Sequence, residues 1–148
     1  MKKQAKKTAK PAALVIDAAG APVGRVCAYC AKQALNGAKV DIVNVELSVI
    51  TGNPEGVVEK YARRRHMTQK ANPENAAKWP RRPDFLFKTI LKGMLPKRTS
   101  RTKDALSRTR AHLGVPAGLE KAEKFAKERQ ASTGITLMEL CRALGWNR

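Results

Sequence analysis

Cys27 and Cys30 stand in a C-x-x-C spacing, the arrangement of a redox pair or of half a zinc site. Redox chemistry needs the first thiol at a helix start, where its thiolate is stabilised. Here both cysteines fall inside a helical pattern, on one apolar stripe with Val26 and Ala31. Cys141 is far away in the chain, and the two histidines have no partners at ligand spacing. The three cysteines therefore read as small core residues, and neither metal nor cofactor is expected. Gly20-x-x-x-Gly24 follows a strand pattern and precedes a helix, the setting of a dinucleotide loop. The spacing is not G-x-G-x-x-G, and no acidic ribose partner is evident, so it reads as a βα turn. Gly93 to Lys97 lacks the Gly-Lys-Ser/Thr of a phosphate loop. Asp17, Asp41, Glu55 and Glu59 read as caps and surface charges rather than as an acid–base pair.

The remaining chemistry is that of cations. From Lys88 the chain reads K-T-I-L-K-G-M-L-P-K-R-T-S-R. Pro83 is suited to opening a helix. Phe87, Ile90, Leu91 and Met94 then recur at three- and four-residue spacing, which predicts a buried stripe. Lys88 and Lys92 lie one turn apart on another face. Gly93 removes a side chain where a partner can come close, and Pro96 stops the helix. Lys97, Arg98, Arg101 and Lys103 follow at once. A helix docked by one face and ending in cations can hold positive charge against a polyanion.

Composition points the same way. Across 148 residues, 30 Lys and Arg face 12 Asp and Glu, a formal net charge of +18. Such self-repulsion favours a polyanionic partner, nucleic acid before an anionic membrane. No apolar run approaches the roughly 20 residues that span a bilayer. Lys2, Lys3, Lys6, Lys7 and Lys10 precede no apolar segment of the kind a secretory signal needs. The expectation is a soluble intracellular protein with no membrane partner and no small-molecule substrate.

The elements that must position these cations follow in chain order. Residues 1–11 form a basic arm without periodicity, expected to be disordered alone. Ala13 to Ala18 reads as a strand buried on both faces. A helix follows from Arg25, with Val26, Cys27, Cys30, Ala31, Ala34 and Leu35 inward and Asn36-Gly37 as its stop. Val40 to Val45 is a second strand, so strand, helix and strand make a βαβ unit in an at least partly parallel sheet. Glu46 to Gly52 adds a short strand. Asn53-Pro54 opens a helix that ends in Arg63-Arg64-Arg65-His66, where cations suit the dipole. Residues 68–83 are irregular and carry Arg81 and Arg82 towards a partner. Ser100 to His112 reads as a helix with Arg101, Arg108 and Arg110 outward, and Ala122 to Arg129 as a solvated helix. Gly134 leads to a short strand or bend, and Thr136 caps a last helix bearing Leu137, Leu140, Cys141 and Leu144. No linker divides residues 12–148 into two domains.

Several of these stretches carry a resemblance. V-I-D-A-x-G-x-x-x-G-R, Val15 to Arg25, resembles the opening of the large-subunit ribosomal protein thirteen family. K-G-M-L-P-K, Lys92 to Lys97, resembles its most diagnostic segment. P-x-x-T-x-R, Pro96 to Arg101, and L-G-W, Leu144 to Trp146, are similar to its archaeal and eukaryotic branch. Two departures stand out: Thr102 replaces a usual Gly, and Ala111-His112-Leu113 replaces a more β-like run with an aromatic residue. The resemblance implies an α/β protein, a three-layer α/β/α domain with a small, mainly parallel four-stranded sheet, a basic N-terminal arm and a C-terminal helical extension. It also implies a structural role on ribosomal RNA of the large subunit, among neighbouring ribosomal proteins and without catalysis.

The RNA-binding candidates are the arm lysines, Arg25, Arg63, Arg64, Arg65, His66, Arg81, Arg82, Lys88, Lys92, Gly93, Met94, Lys97, Arg98, Arg101, Lys103, Arg108 and Arg110. Aromatic residues make up only 5 % of the chain, so no stacking platform is expected. Recognition should run through phosphates, 2′-hydroxyls and RNA shape. The competing reading is a nucleotide-dependent enzyme with a basic arm that acts on RNA.

Overall fold

The β-branched run after Lys39 lies near the middle of the sheet. The structure, a computed structural model, describes residues 13–68, 71–97, 99–125 and 133–147. Strand β1 (Ala13–Asp17) pairs in parallel with β2 (Lys39–Val43), with Ile16 opposite Ile42. β2 also pairs in parallel with β4 (Thr109–Ala111), and β1 with β5 (Glu123–Lys124). The order is β4-β2-β1-β5. Val40, Ile42 and Val43 are fully buried, as a strand flanked on both sides requires. β1 is less covered than its apolar run suggests, since Ala13 is exposed and Leu14 and Val15 are half-buried.

Helix α1 (Val23–Leu35) crosses from β1 to β2. Val26, Cys27, Cys30, Ala31 and Ala34 are buried as expected, while Leu35 is half-buried. The helix ends in a Schellman turn: Gly37 N–H donates to Ala34 O and Ala38 N–H to Gln33 O, both at 3.1 Å. Gly37 sits at φ 97°, which explains a glycine there. β2 stops at Val43 because Asn44 turns left-handed at φ 53° and Val45–Leu47 forms a 3₁₀ turn. β3 (Val49–Thr51) does not join the main sheet. It pairs antiparallel with β6 (Gly134–Thr136). A side chain at Gly134 would run into the Ile50 carbonyl, so this close approach demands glycine.

Helix α2 (Pro54–His66) starts as expected, with Glu55 N–H donating to the Asn53 side chain at 3.3 Å. Helix α3 (Pro83–Met94) opens on Pro83 and ends before Pro96. Its buried face is Pro83, Leu86, Phe87 and Leu91, continued by Leu95. The expected stripe is thus shifted: Ile90 is half-buried and Met94 is 43 % exposed. Both crossovers, β1 to β2 and β2 to β4, run in the same direction across the sheet. Right-handed connections then bring their helices to the same face. The packing agrees, since α1, α3 and α4 (Ser100–Ser107) contact one another.

Two helices expected from the sequence are corrected. The Ser100–His112 helix ends at Ser107, and Thr109 to Ala111 form β4 instead. Thr109 is buried, its hydroxyl donating to Ala105 O at 2.9 Å while its backbone joins β2. Glu123 and Lys124 are a strand edge on β1 rather than the start of a solvated helix; the rest of that expected helix, residues 126–129, lies outside the described residues. A last helix, α5 (Leu137–Ala143), carries the expected cap. Thr136 Oγ1 accepts from Glu139 N–H at 3.2 Å and the Glu139 carboxylate from Thr136 N–H at 3.1 Å. Leu137, Leu140 and Cys141 are fully buried. The chain is therefore an α/β protein, with five helices, a four-stranded parallel sheet and a small antiparallel pair among the described residues.

Candidate nucleic-acid interface

The groups that resemble catalytic parts are spent on the fold. Asp17 Oδ1 accepts from Ala19 N–H at 3.0 Å and from the Asn44 amide at 2.9 Å, tying the ends of β1 and β2 together. Asp41 contacts His112 Nε2 at 3.1 Å. Glu46 accepts from Gly114 N–H at 2.9 Å, and Glu59 pairs with Arg63 at 2.6 Å. In the Gly20–Gly24 turn, Gly20 N–H donates to Leu47 O at 3.0 Å and Ala21 N–H to Ala18 O at 3.1 Å. These two amides, already bonded to the protein, are not free to cradle a phosphate. Cys27, Cys30 and Cys141 are fully buried and unbridged. Burial pushes the thiols of Cys30 and Cys141 up to about 12 and that of Cys27 higher still. These thiols stay protonated and unreactive. Among the described residues no three His, Cys, Asp or Glu side chains gather to hold a metal. No described helix is long and apolar enough to cross a membrane.

The cations divide into those that brace the fold and those that face outward. Arg64 lies over Trp79 and Tyr61, 4.9 and 5.4 Å from their ring centroids, and Arg65 donates to Trp79 O at 3.3 Å. Together they pin the irregular segment before α3 against α2. Arg82 grips Asp84 through two hydrogen bonds of 3.1 and 2.8 Å. The Arg81 guanidinium lies against the Gly145 turn. Arg101 donates to Leu35 O at 3.2 Å, placing a cation on the C-terminal carbonyls of α1.

Arg25, His66, Lys92, Lys97, Lys103, Arg108 and Arg110 are exposed, Lys88 is half-exposed, and none of them forms an ion pair among the described residues. Arg108 and Arg110 flank and enter β4, an outer strand of the sheet. Arg98 and the arm lysines Lys2, Lys3, Lys6, Lys7 and Lys10 lie outside the described residues.

α3 separates two grooves. On one side, a cleft of about 580 Å³ runs between Arg64, Trp79, Ile90 and Gly93. Gly93 has nothing within 4 Å of where a Cβ would sit, so its bareness is turned outward. On the other side, a groove of about 390 Å³ gathers Lys78, Lys88 and Lys92 beside Phe85. Lys78 was not singled out by sequence reasoning. Its signal was the adjacent Trp79-Pro80, which marks an extended strip that can fold back over α3. Thr102 also finds an explanation: it is buried, and its hydroxyl donates to Pro96 O and meets Thr99 Oγ1 at 3.0 Å. It therefore fastens the turn after α3.

Arg101→Ala is expected to cost about 0.5–1 kcal/mol of stability, from one lost hydrogen bond and one lost helix-terminal charge. Lys103→Ala, on the same helix but without such a contact, should stay within about 0.5 kcal/mol. Thermal melts of the two variants check this; equal midpoints would deny Arg101 its bracing role.

These features define a small, strongly basic α/β protein whose outward cations include Lys88, Lys92 and Lys97 on and just after the helix before Pro96. Residues 12–117 match the family described as ribosomal protein L13. The chain is 37 % identical over 132 residues to the large ribosomal subunit protein uL13 of Methanocaldococcus jannaschii, an alignment covering 88 % of this chain and 96 % of the relative. It is 38 % identical over 139 residues to that of Archaeoglobus fulgidus, covering 89 % and 87 %. Against that of Aeropyrum pernix it is 38 % identical over 144 residues, covering 90 % of each. The chain belongs to the ribosomal protein L13 family, and these relatives are archaeal.

Proposed function

We propose that this protein is a structural constituent of the large ribosomal subunit in the cytoplasmic ribosome. In this reading it binds ribosomal RNA through phosphate and shape contacts, meets neighbouring ribosomal proteins and supports subunit assembly. It acts as one domain, residues 12–148, preceded by a basic arm, residues 1–11. The observation that carries the reading is family membership together with the outward cations, Lys88, Lys92 and Lys97 on and just after α3 among them, which have no acidic partner among the described residues. Lysines of this kind neutralise phosphates and release counterions, so binding should weaken steeply with salt. The nucleotide-dependent enzyme is disfavoured because the Gly20–Gly24 turn lacks the G-x-G-x-x-G spacing and its Gly20 and Ala21 amides already serve the fold. Gradient sedimentation of ribosomes in high salt tests the role. The protein should travel with the large subunit; recovery only at the top of the gradient would overturn the reading.

A further inference from the structure

The groove beside α3 contains more than charge. Phe85 is 49 % exposed, one of the few large apolar side chains on the described surface. It stands one helical turn before Thr89, and together with Lys88 and Lys92 these residues present one side of α3. Lys78 and Pro80 come in from the extended strip, and Leu106 of α4 completes the lining. Three lysines and no carboxylate line this space. The nearest acid in sequence, Asp84, is already taken by Arg82. That grip also holds the Arg82 guanidinium over the Phe85 ring, 5.0 Å from its centroid.

From this juxtaposition we infer that the groove is a subsite for one unstacked nucleotide of single-stranded RNA, with its base on Phe85 and its flanking phosphates on Lys78, Lys88 and Lys92. The inference rests on the RNA-binding role proposed above and deepens it. Charge complementarity selects the occupant, because an apolar protein segment would leave three lysine charges unanswered. The mixture of one aromatic face and several cations is what a splayed-out nucleotide requires, since every base has a π-face and every linkage a charge. The low aromatic content argued against a stacking platform of several bases; it does not exclude a single ring placed among lysines. Thr89 adds little base reading, because its hydroxyl donates to Phe85 O at 2.8 Å. The subsite should therefore tolerate different bases.

The test uses the full chain, a short single-stranded RNA carrying the fluorescent base 2-aminopurine, and the same sequence as a duplex. Wild-type protein should quench the fluorescent single strand on binding. Phe85→Ala should weaken single-strand binding roughly tenfold and abolish the quench, with duplex affinity unchanged. Phe85→Trp should restore both. Lys88→Ala combined with Lys92→Ala should flatten the single-strand salt slope by roughly 1.4. A Phe85→Ala protein that binds and quenches the single strand like wild type overturns the subsite. If that variant also binds large-subunit ribosomal RNA like wild type, the RNA-binding role stands without it. Wild-type protein that binds neither the single strand nor that ribosomal RNA overturns both.

Discussion

Phe87→Ala is expected to lower the unfolding free energy by about 3–5 kcal/mol, and Leu91→Ala by about 2–5 kcal/mol. Both side chains are fully buried on α3, which packs against α1 and α4. Truncation removes their transfer free energy and leaves a cavity that the close-packed helices fill only in part. Domains of this size hold only about 5–15 kcal/mol in total, so either change consumes a large share. Ile90 is half-buried and should cost less. Met94, 43 % exposed, should tolerate alanine within about 0.5 kcal/mol. Urea denaturation of the four variants gives the order directly. A Met94→Ala loss as large as that of Phe87→Ala would mean that α3 is rotated about its axis relative to the packing described.

Deleting residues 1–10 is expected to produce the largest change in RNA binding. The deletion removes five lysines. If each neutralises one phosphate, the magnitude of the logarithmic salt slope should fall by roughly 3.5–4.5. The loss of affinity should accordingly be greatest at low salt, where counterion release contributes most. Thermal stability should hardly move, since the core described lies wholly in residues 13–147. Isotherms with large-subunit ribosomal RNA across salt concentrations, paired with melts of the protein alone, separate the two effects. An unchanged slope would mean that the arm meets no phosphate, and a lowered melting point that it braces the domain.

Local chemistry by itself determined much of this protein. Apolar runs and β-branched residues placed β1 and β2. Pro83 and Pro96 bounded α3, Asn36-Gly37 closed α1, and the spacing of Thr136 and Glu139 capped α5, because each of these signals acts within a few residues of backbone. The net charge pointed to a polyanionic partner, and the K-G-M-L-P-K segment carried the resemblance to the family. Tertiary packing decided the rest. Thr109 to Ala111 became a strand instead of extending α4 because β2 offered an outer edge to pair with, a long-range partner that no local propensity encodes. Glu123 and Lys124 did the same beside β1. Met94 lost its place in the buried stripe because the direction from which α1 packs selects which residues of α3 are covered. Cations identical in sequence also acquired different jobs. Arg64, Arg65 and Arg101 brace the fold because a ring or a carbonyl from elsewhere in the chain lies within reach. Lys78 joins Phe85, Lys88 and Lys92 only when the strip before α3 folds back across it, since a side chain's neighbours are set by the packed chain and its spacing covers only the nearest turn.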